Sequence, residues 1–322
     1  MTITYISWAS HCSRSDHTAR ELGGVSHMVY LGWLGSHPLT VGFKYTGQCW
    51  KTWRILRRER PQAVFVMVPP VFAGLTVWFY AVTCRIPFVL DAHTAAYLHP
   101  RWAAWQWLQR ALARRAATTI VTNEHLAAVV RQAGGRATLV PDVPITFAAV
   151  EPLERTAEFL VAVVCSFNYD EPIAEILDAA RTLPDVRFMM TGNPRHLAPE
   201  LKSSLPGNVT LTGFIPDSAY AGLLTSADCV MTLTTRDHTM LRGAYEAIYQ
   251  GTPVIVSDWP LLRSAFDQGA IHVDSSPQAI AEAVRRMARD YDAFRAGAAE
   301  LRRRKMERWT ATLAELRAAV TV

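Results

Sequence analysis

The chain has 322 residues, half of them hydrophobic and 19% charged, so it exceeds the usual size of one compact core and is too apolar for a disordered protein. No short-period repeat interrupts it, which excludes a solenoid. The net charge of +5 is unevenly divided, because residues 1–150 hold 15 Lys and Arg against 6 Asp and Glu, a net +9, whereas the remainder is −4.

The five cysteines are scattered and form no CxxC pair, so the sequence predicts neither a disulfide framework nor a zinc site. The segment Met1 to Trp8 is typical of a first strand rather than of a signal peptide. Prolines and Arg85 divide the apolar stretch from Val64 to Leu90 into pieces too short to span a bilayer. We expect a cytoplasmic protein that either stays in solution or lies peripherally on the inner face of the membrane.

Short apolar runs that alternate with helical stretches predict twelve strands. They are Ile3–Trp8, His27–Leu31, Ala63–Val68, Phe88–Asp91, Thr118–Thr122, Ala137–Val140, Phe159–Cys165, Val186–Thr191, Val209–Thr212, Cys229–Leu233, Val254–Ser257 and Ile271–Val273. Buried strands separated by helices indicate parallel sheets covered on both faces.

The sequence therefore predicts an α/β fold with two facing Rossmann-like, doubly wound domains. Residues 1–148 form the first domain, 149–300 the second, and 301–322 a closing helix that returns to the first. The connection is expected at 141–155, where prolines and acidic residues replace the regular pattern. Ligands of such sheets collect at the carboxyl ends of the strands, which predicts a site in a cleft between the domains.

Two predicted helices of the basic half combine tryptophan with arginine. One holds Trp50 and Trp53 next to Arg54, and the other holds Trp102, Trp105, Trp107 and three arginines. Either the apolar faces pack on the sheet while the arginines extend to solvent, or the helices contact a membrane surface that delivers a lipid-linked acceptor.

The most informative segment runs from residue 238 to residue 258, HTMLRGAYEAIYQGTPVIVSD. A helix beginning near Leu241 to Gly243 carries Glu246 about one turn inside its start. The free N–H groups and positive dipole of that start suit a diphosphate, and Arg242 would add a charged partner. The alternatives are a helix stop at Gly251-Thr252-Pro253, a solvated Glu246 and an Arg242 that only solvates the helix end.

This segment resembles the GT-B glycosyltransferases of family 4. The resemblance implies that Glu246 binds the ribose hydroxyls of a donor nucleotide, and the family's second glutamate falls on His238. Thr191-Gly192-Asn193-Pro194 resembles the family's Gly-x-Gly-Pro turn, and Thr212-Gly213-Phe214 resembles its loop near the base. Trp309 resembles the aromatic residue of the closing helix.

Where the family places an Arg and a Lys to hold the diphosphate, this chain has Ser166 and Asn168. Other residues resemble the dolichol-linked chitobiose mannosyltransferase group, namely Arg14-Ser15, the DAHT of Asp91 to Thr94, and Thr122-Asn123. This resemblance implies polyprenyl diphosphate acceptors and inversion of the anomeric centre. Arg14, Ser166 and Asn168 are the candidate phosphate contacts.

An inverting transfer needs a general base, whereas a retaining front-face transfer can use the departing phosphate oxygen. The candidates are Asp16 and His17 in the first loop, and Asp91 and His93 after the fourth strand. We favour Asp16 as the base and His93 as a contact to the donor sugar or phosphate. The alternatives are that Asp16 caps a helix beginning at Thr18 and that His93 bonds only to backbone.

The sequence thus predicts a hexosyltransferase that moves a sugar from UDP-sugar or GDP-sugar to a lipid-linked or other anionic acceptor. No metal and no further cofactor is predicted, because no DxD pair follows a strand. No nucleic-acid partner is expected. The alternatives are a sugar-nucleotide 2-epimerase of the same fold, and a catalytically weak subunit that serves as a scaffold for polysaccharide assembly.

Overall fold

The computed structural model describes residues 1–32, 38–153, 159–237 and 239–321. The chain divides into two compact units, of which unit 1 comprises Met1–Val143 with Arg308–Val322 and unit 2 comprises Pro144–Glu307. The boundary between Val143 and Pro144 falls inside 141–155, where the sequence predicts the connection. The boundary before Arg308 falls seven residues after residue 301, the predicted start of the closing helix.

Unit 1 contains a six-stranded parallel sheet in the order β2-β1-β3-β4-β5-β6. Its strands are β1 Ile3–Ser7, β2 Val25–Met28, β3 Ala63–Val68, β4 Phe88–Ala92, β5 Thr118–Val121 and β6 Ala137–Leu139. Its helices are α1 Ser13–Glu21, α2 Pro38–Glu59, α3 Val71–Cys84, α4 Ala95–Leu98, a 3-10 helix Pro100–Trp105, α5 Gln106–Ala113 and α6 Glu124–Gln132.

Unit 2 contains a second six-stranded parallel sheet in the order β12-β11-β10-β7-β8-β9. Its strands are β7 Phe159–Val163, β8 Val186–Thr191, β9 Val209–Gly213, β10 Cys229–Thr232, β11 Val254–Ser257 and β12 Ala270–Val273. Its helices are α7 Ile173–Arg181, α8 Pro199–Ser203, α9 Asp217–Ser226, α10 Arg242–Gln250, α11 Pro260–Ala265 and α12 Pro277–Arg289. The helix α13, Tyr291–Val320, contributes residues to both units.

The prediction of two doubly wound α/β domains is confirmed, and all twelve predicted strands are present, displaced by at most a few residues at their ends. The strands form because their residues are apolar and often β-branched, as in β3, whose six residues are all buried. Side-chain oxygens cap the starts of α6 and α12. Asn123, for example, accepts a 2.9 Å hydrogen bond from the backbone N–H of Leu126.

Side chains that alternate along the strands build two cores in unit 1, one on each face of the sheet. On one face Ile6, Val66 and Leu90 pack under α2, α3, α5 and α6. On the other face Tyr5 and Phe65 pack under α1 and the last turns of α13, including Trp309. The C-terminal residues of α13 are thus an integral layer of unit 1.

The sheet of unit 2 is likewise covered on both faces. The helices α7 and α12 cover one face, over Val163, Met190 and Met231. The helices α9, α10 and α11 cover the other, together with Ala298 and Leu301 of α13. Among the described residues, no helix combines the length and apolar character that a membrane span requires.

Candidate functional site

The strand order of unit 2 reverses direction between β7 and β10, the pattern that opens a crevice at the carboxyl ends of these strands. The segments that follow β7, β8, β9 and β10 all emerge at this edge because the strands are parallel. The start of α10 follows the β10 segment. The predicted donor-binding residues that the structure describes lie in or beside these segments or in the first turns of α10.

Glu246 lies one turn inside α10 and is only 4% exposed, so the alternative of a solvated carboxylate is wrong. Its Oε1 accepts a 2.6 Å hydrogen bond from Nε of Arg242, and its Oε2 accepts one of 2.6 Å from the hydroxyl of Tyr220 on α9. Burial, followed by the charge of Glu246, raises the pKa of Tyr220 well above its usual value, which keeps that hydroxyl a donor. The carboxylate is therefore held in one orientation.

Gly243 allows the start of α10 to approach the end of β7. A Cβ atom at this position would lie 2.6 Å from Cγ1 of Val164, closer than two carbon atoms can pack. Leu241 precedes the helix in an extended conformation and is buried. At the other end Gly251 terminates α10 with φ of 83°, as the helix-stop interpretation of this glycine requires.

In the loop after β7 the family resemblance implies an Arg and a Lys. In this chain the carboxylate of Glu171 binds the backbone of that loop instead. The backbone N–H of Ser166 donates to both carboxylate oxygens of Glu171, at 3.1 and 3.0 Å, and that of Asn168 donates to Oε2 at 2.9 Å. The backbone turns at Phe167, which has φ of 59°. Since Glu171 occupies both amides, only the side chains of Ser166 and Asn168 can contact a phosphate in this conformation.

Two glycines shape the ends of β8 and β9. Gly192 has φ of 98°, and a Cβ atom there would meet the carbonyl oxygen of Cys165 at 2.6 Å. Gly213 has φ of 70° and is followed by Phe214, which is almost fully exposed. Asn193 accepts a 3.1 Å hydrogen bond from the backbone N–H of Arg195 through its side chain.

His238, the remaining residue of the predicted donor site, lies outside the described residues. The segment immediately before it is fixed at Thr234 and Thr235. The hydroxyl of Thr234 donates to Asp170 at 3.3 Å, and the backbone N–H of Thr235 donates to the carbonyl of Asp170 at 2.7 Å. These bonds join the segments after β7 and β10 at the point where the strand order reverses.

In unit 1, the fully buried carboxylate of Asp91 at the end of β4 organises a second polar cluster. Oδ2 accepts hydrogen bonds from Tyr5 at 2.6 Å and from Nε of Arg14 at 3.2 Å, and Oδ1 lies 3.1 Å from a terminal nitrogen of Arg14. Burial raises the pKa of Asp91, but Arg14, His93 and Tyr5 outweigh burial and lower it. The carboxylate is ionised at neutral pH.

His93 lies with Nε2 3.8 Å from Oδ2 of Asp91. Burial lowers its pKa, but the interactions with Asp91 and Cys12 outweigh burial and raise it to about 9. For the Cys12 thiol, burial raises the pKa, but hydrogen bonds with His93 and Ser15 outweigh burial and lower it. At neutral pH His93 is a cation, suited to binding an anion and unsuited to accepting a proton.

Of the residues predicted in the first loop, Asp16 lies apart from His93 in the sheet, whereas Arg14 contacts Asp91 beside His93. Asp16 accepts a short hydrogen bond from the hydroxyl of Ser26 on β2, the edge strand, whereas His93 follows β4. The alternative in which Asp16 caps a helix at Thr18 is wrong, because α1 begins at Ser13. Arg14 is largely buried, and besides Asp91 it contacts the carbonyl oxygen of Val140 at 3.3 Å. Its guanidinium is therefore already engaged by protein.

Four residues of these clusters are absent from the sequence-based prediction, namely Tyr5, Cys12, Glu171 and Tyr220. Tyr5 and Tyr220 lie 86 and 26 positions from their carboxylate partners, so no local spacing connects them. Glu171 was detectable in principle, because a carboxylate three residues after Asn168 can reach back to a turn. Among the described residues, no group of three or more His, Cys, Asp or Glu side chains could hold a metal ion.

Two family profiles match the chain. Residues 10–144 match the family described as "Glycosyl transferase 4-like domain", and residues 159–290 match the family described as "Glycosyl transferases group 1". Together these ranges take in most of the sequence. No curated protein matches it.

Solved structures share the fold over nearly the whole length. Sucrose-phosphate synthase from Thermosynechococcus elongatus is 16% identical with a TM-score of 0.67, over 98% of this chain and 97% of its own. Anabaena HepE in complex with UDP-glucose is 14% identical with a TM-score of 0.64, over 99% and 100%. MnaA from S. aureus, solved with UDP, is 12% identical with a TM-score of 0.59, over 92% and 90%.

Proposed function

The chain belongs to the family 4-like glycosyltransferases of the GT-B fold, which take their sugar from a nucleotide-sugar donor, and from that membership we propose its substrates and the roles of its residues. The proposed reaction transfers a hexose from UDP-sugar or GDP-sugar to a lipid-linked or other anionic acceptor. The donor binds unit 2 at the carboxyl ends of β7, β8, β9 and β10. HepE with UDP-glucose supports a uridine donor as the first choice.

The observation that carries this proposal is the fixed, buried carboxylate of Glu246 beside the start of α10. A carboxylate with bonds from Tyr220 and Arg242 keeps further lone pairs, so it can accept hydrogen bonds from the two hydroxyls of a ribose. Its orientation is determined before the donor arrives. Donor binding therefore carries no entropic cost for ordering the side chain of Glu246.

The diphosphate would lie at the start of α10. Arg242 is 60% exposed although Nε is bonded to Glu246, so the outer nitrogens of its guanidinium face solvent and can bind phosphate oxygens. The first N–H groups of the helix and its dipole favour the same anion. As the sugar leaves, negative charge grows on the diphosphate, and these fixed donors stabilise it most at that moment.

Unit 1 would supply the remaining charges. Protonated His93 contacts the phosphate or sugar of the donor, and Asp16 takes the proton of the acceptor hydroxyl if the reaction inverts. Protein cations and helix N–H groups neutralise the leaving diphosphate in this scheme, which makes the proposed reaction independent of metal.

A lipid-linked acceptor is supported by an aromatic surface on unit 1. This aromatic surface comprises the outward side chains of α2, α3 and α5, which are Phe43, Trp50, Phe79, Val82 and Trp107. Trp50 is 61% exposed, Phe79 57% and Trp107 65%, so these rings do not pack on the sheet. An apolar groove of about 590 Å³ runs between α2 and α3.

Two arginines lie over tryptophan rings of α2 and α3. The guanidinium of Arg54 lies 4.6 Å from the ring centre of Trp50, and that of Arg115 lies 5.8 Å from the ring of Trp78. Aromatic rings beside cations are suited to the boundary between acyl chains and anionic headgroups. The proposed acceptor would reach the enzyme from such a membrane surface.

The test is thermal unfolding with a panel of UDP-sugars and GDP-sugars, each also supplied as the free nucleotide. A specific donor at about 100 times its dissociation constant should add about 2.7 kcal/mol to the free energy of unfolding. Glu246→Gln should lose most of this stabilisation, while Glu307→Gln, an exposed carboxylate on α13, should retain it. An equal shift in Glu246→Gln would remove this residue from the donor site.

The same preparation separates the other functions of this fold. Nucleotide release that requires an added membrane extract supports transfer to an acceptor. Turnover of UDP-N-acetylglucosamine by the purified chain alone would support a 2-epimerase instead. Donor binding without turnover under either condition would support a scaffold role and contradict the proposed transferase.

A further inference from the structure

The thiol of Cys12 lies at the start of α1, in the polar cluster around Asp91 and His93. Cys12 is the N-cap residue of this nine-residue helix, and it is only partly buried. The free N–H groups and the positive dipole end of a helix start favour a negative group, and a thiolate is such a group. The proposed transfer reaction assigns no role to this sulfur.

Two buried hydroxyls donate in succession toward the sulfur. The hydroxyl of Ser7 donates a 2.7 Å hydrogen bond to Oγ of Ser15, and the hydroxyl of Ser15 donates one of 3.1 Å to Sγ of Cys12. Both serines are fully buried, so the single hydroxyl proton of Ser15 does not reach bulk water. A neutral thiol is a weak acceptor, whereas an ionised group accepts strongly. The buried donor of Ser15 is therefore satisfied best when Cys12 is a thiolate.

The charges of the surrounding cluster favour the same form. The imidazole of His93 interacts with Cys12 and with Asp91, and its Nε2 lies 3.8 Å from Oδ2 of that carboxylate. Arg14 already neutralises Asp91, and burial, followed by the charge of Asp91, raises the pKa of Tyr5 and keeps it uncharged. Protonated His93 thus leaves one positive charge among these groups. An ionised Cys12 balances it.

The two deeply buried cysteines lack such an environment. Burial, followed by the charge of Glu171, raises the pKa of Cys165 to about 12, and burial also raises the pKa of Cys229. At Cys12 the hydrogen bonds with His93 and Ser15 outweigh burial and lower the pKa. The thiolate is the nucleophile, so Cys12 should react before these two thiols.

We propose that Cys12 is a modification site, at which a peroxide reversibly oxidises the sulfur to a sulfenic acid. The thiolate attacks one peroxide oxygen, so that an S–O bond forms and the O–O bond breaks. Sulfur gives two electrons to the peroxide, and the leaving hydroxide takes a proton from His93 and departs as water. An external thiol then displaces water to form a mixed disulfide, and a second one releases Cys12 as a thiol.

Alkylation kinetics test the activation of the sulfur. The intact protein reacts with iodoacetamide, and mass spectrometry of its peptides measures the rate at Cys12. Glutathione in a parallel reaction provides the rate of an ordinary thiol. Steric access affects the ratio of the two rates equally at every pH, so activation should raise this ratio at least about threefold from about pH 8.5 to about pH 6. A ratio independent of pH would overturn the proposal.

Substitutions around the sulfur identify what activates it. Ser15→Ala removes the buried donor and should shift the pH dependence toward that of glutathione. The matched control Ser26→Ala removes a hydroxyl that donates to Asp16 on the same helix, and it should leave the rate at Cys12 unchanged. His93→Gln removes the cation and should slow the reaction at neutral pH, and it decides the outcome if Ser15→Ala does not fold. Wild-type kinetics in both Ser15→Ala and His93→Gln would contradict the proposed activation.

Oxidation itself is measured with hydrogen peroxide followed by dimedone, which traps sulfenic acids. Dimedone should label Cys12 before Cys84, although Cys84 is the more exposed thiol. Dithiothreitol added between the two reagents should abolish the label. Cys12→Ser should lose the label and Cys84→Ser should retain it. Labelling of Cys84 ahead of Cys12, or an unlabelled Cys12, would refute the modification site.

Discussion

The hydroxyl of Tyr220 on α9 and the carboxylate of Glu246 on α10 are joined by a 2.6 Å hydrogen bond, the same length as the bond from Arg242 to the other carboxylate oxygen. Tyr220→Phe removes one of the two groups that orient the carboxylate. We expect the variant to lose about 1.5–3 kcal/mol of stability, as for hydrogen bonds to charged groups, and to bind the donor more weakly. Denaturant unfolding with and without the nucleotide sugar measures both effects.

Tyr80→Phe is the matched control for this substitution. It also removes a buried tyrosine hydroxyl, which donates a 2.8 Å hydrogen bond to the carbonyl oxygen of Leu56 in unit 1. Its loss should cost about 1 kcal/mol and leave donor binding unchanged. Equal donor affinity in Tyr220→Phe and the wild type would show that Glu246 keeps its orientation without Tyr220.

Gly243→Ala should destabilise unit 2 and impair donor binding together. The added methyl group would lie 2.6 Å from Val164, so either the end of β7 or the start of α10 must move, at a cost of about 1–3 kcal/mol. Gly42→Ala in α2 is the control, since a Cβ atom there meets nothing within 4 Å. That change should stabilise the chain by about 0.5–1 kcal/mol through helix propensity. Thermal melts that rank the two variants in the reverse order would contradict this account.

The fold was predictable from the sequence because its signal is local. Continuous apolar runs such as Ala63–Val68 and Phe159–Val163 need burial on both faces, and parallel sheets between helices provide it. The order of the strands was not predictable in the same way. The strand order depends on which crossovers pass over β1 in unit 1 and over β7 in unit 2. Because the apolar runs of the twelve strands resemble one another, the sequence does not distinguish these crossovers.

The candidate site was predictable only where one segment contains both the backbone feature and the side chain. Arg242, Gly243 and Glu246 share one helix, so their spacing alone placed them together. The partners that fix them come from distant elements, as Tyr220 does for Glu246 and Tyr5 does for Asp91. Burial and pairing of that kind are properties of the tertiary structure.

The charge of His93 predicts a dependence of stability on pH. Its pKa is about 9 in the folded protein and about 6.5 in the unfolded chain, so its contribution is complete below pH 6.5 and is lost as the pH rises through 9. The difference in unfolding free energy between the wild type and His93→Gln should therefore shrink over this range. Urea unfolding at several pH values measures it, and a constant difference would show that folding does not raise the pKa of His93.

Asp91 has the opposite dependence. Its pKa is lowered in the folded protein, so its contribution is present above the usual pKa of about 4 and is lost as the pH falls below that value. Asp91→Asn should destabilise unit 1 at neutral pH, because it leaves the largely buried guanidinium of Arg14 without its carboxylate. The same variant should lower the pKa of His93, which NMR titration of the imidazole would detect.

The aromatic surface predicts binding to anionic liposomes. Sedimentation with phosphatidylglycerol vesicles at low salt should recover the protein, and phosphatidylcholine vesicles should recover much less. Trp50→Ser with Phe79→Ser removes two exposed rings and should weaken partitioning at least about tenfold. Phe214→Ser, which removes a still more exposed ring from unit 2, should have no effect. An equal loss of vesicle binding in both variants would indicate nonspecific adsorption through any exposed ring and would contradict a membrane surface on α2 and α3.

The C-terminal turns of α13 have a consequence for biosynthesis. Trp309, Leu313, Leu316 and Val320 complete the core over Tyr5 and Phe65, yet the ribosome makes them only after the whole of unit 2. Unit 2 is continuous in sequence and can fold while translation proceeds. Unit 1 emerges first, but the part of one apolar face of its sheet that α1 does not cover stays exposed until translation reaches α13. During that interval the nascent chain is a candidate client for chaperones that bind exposed apolar surface.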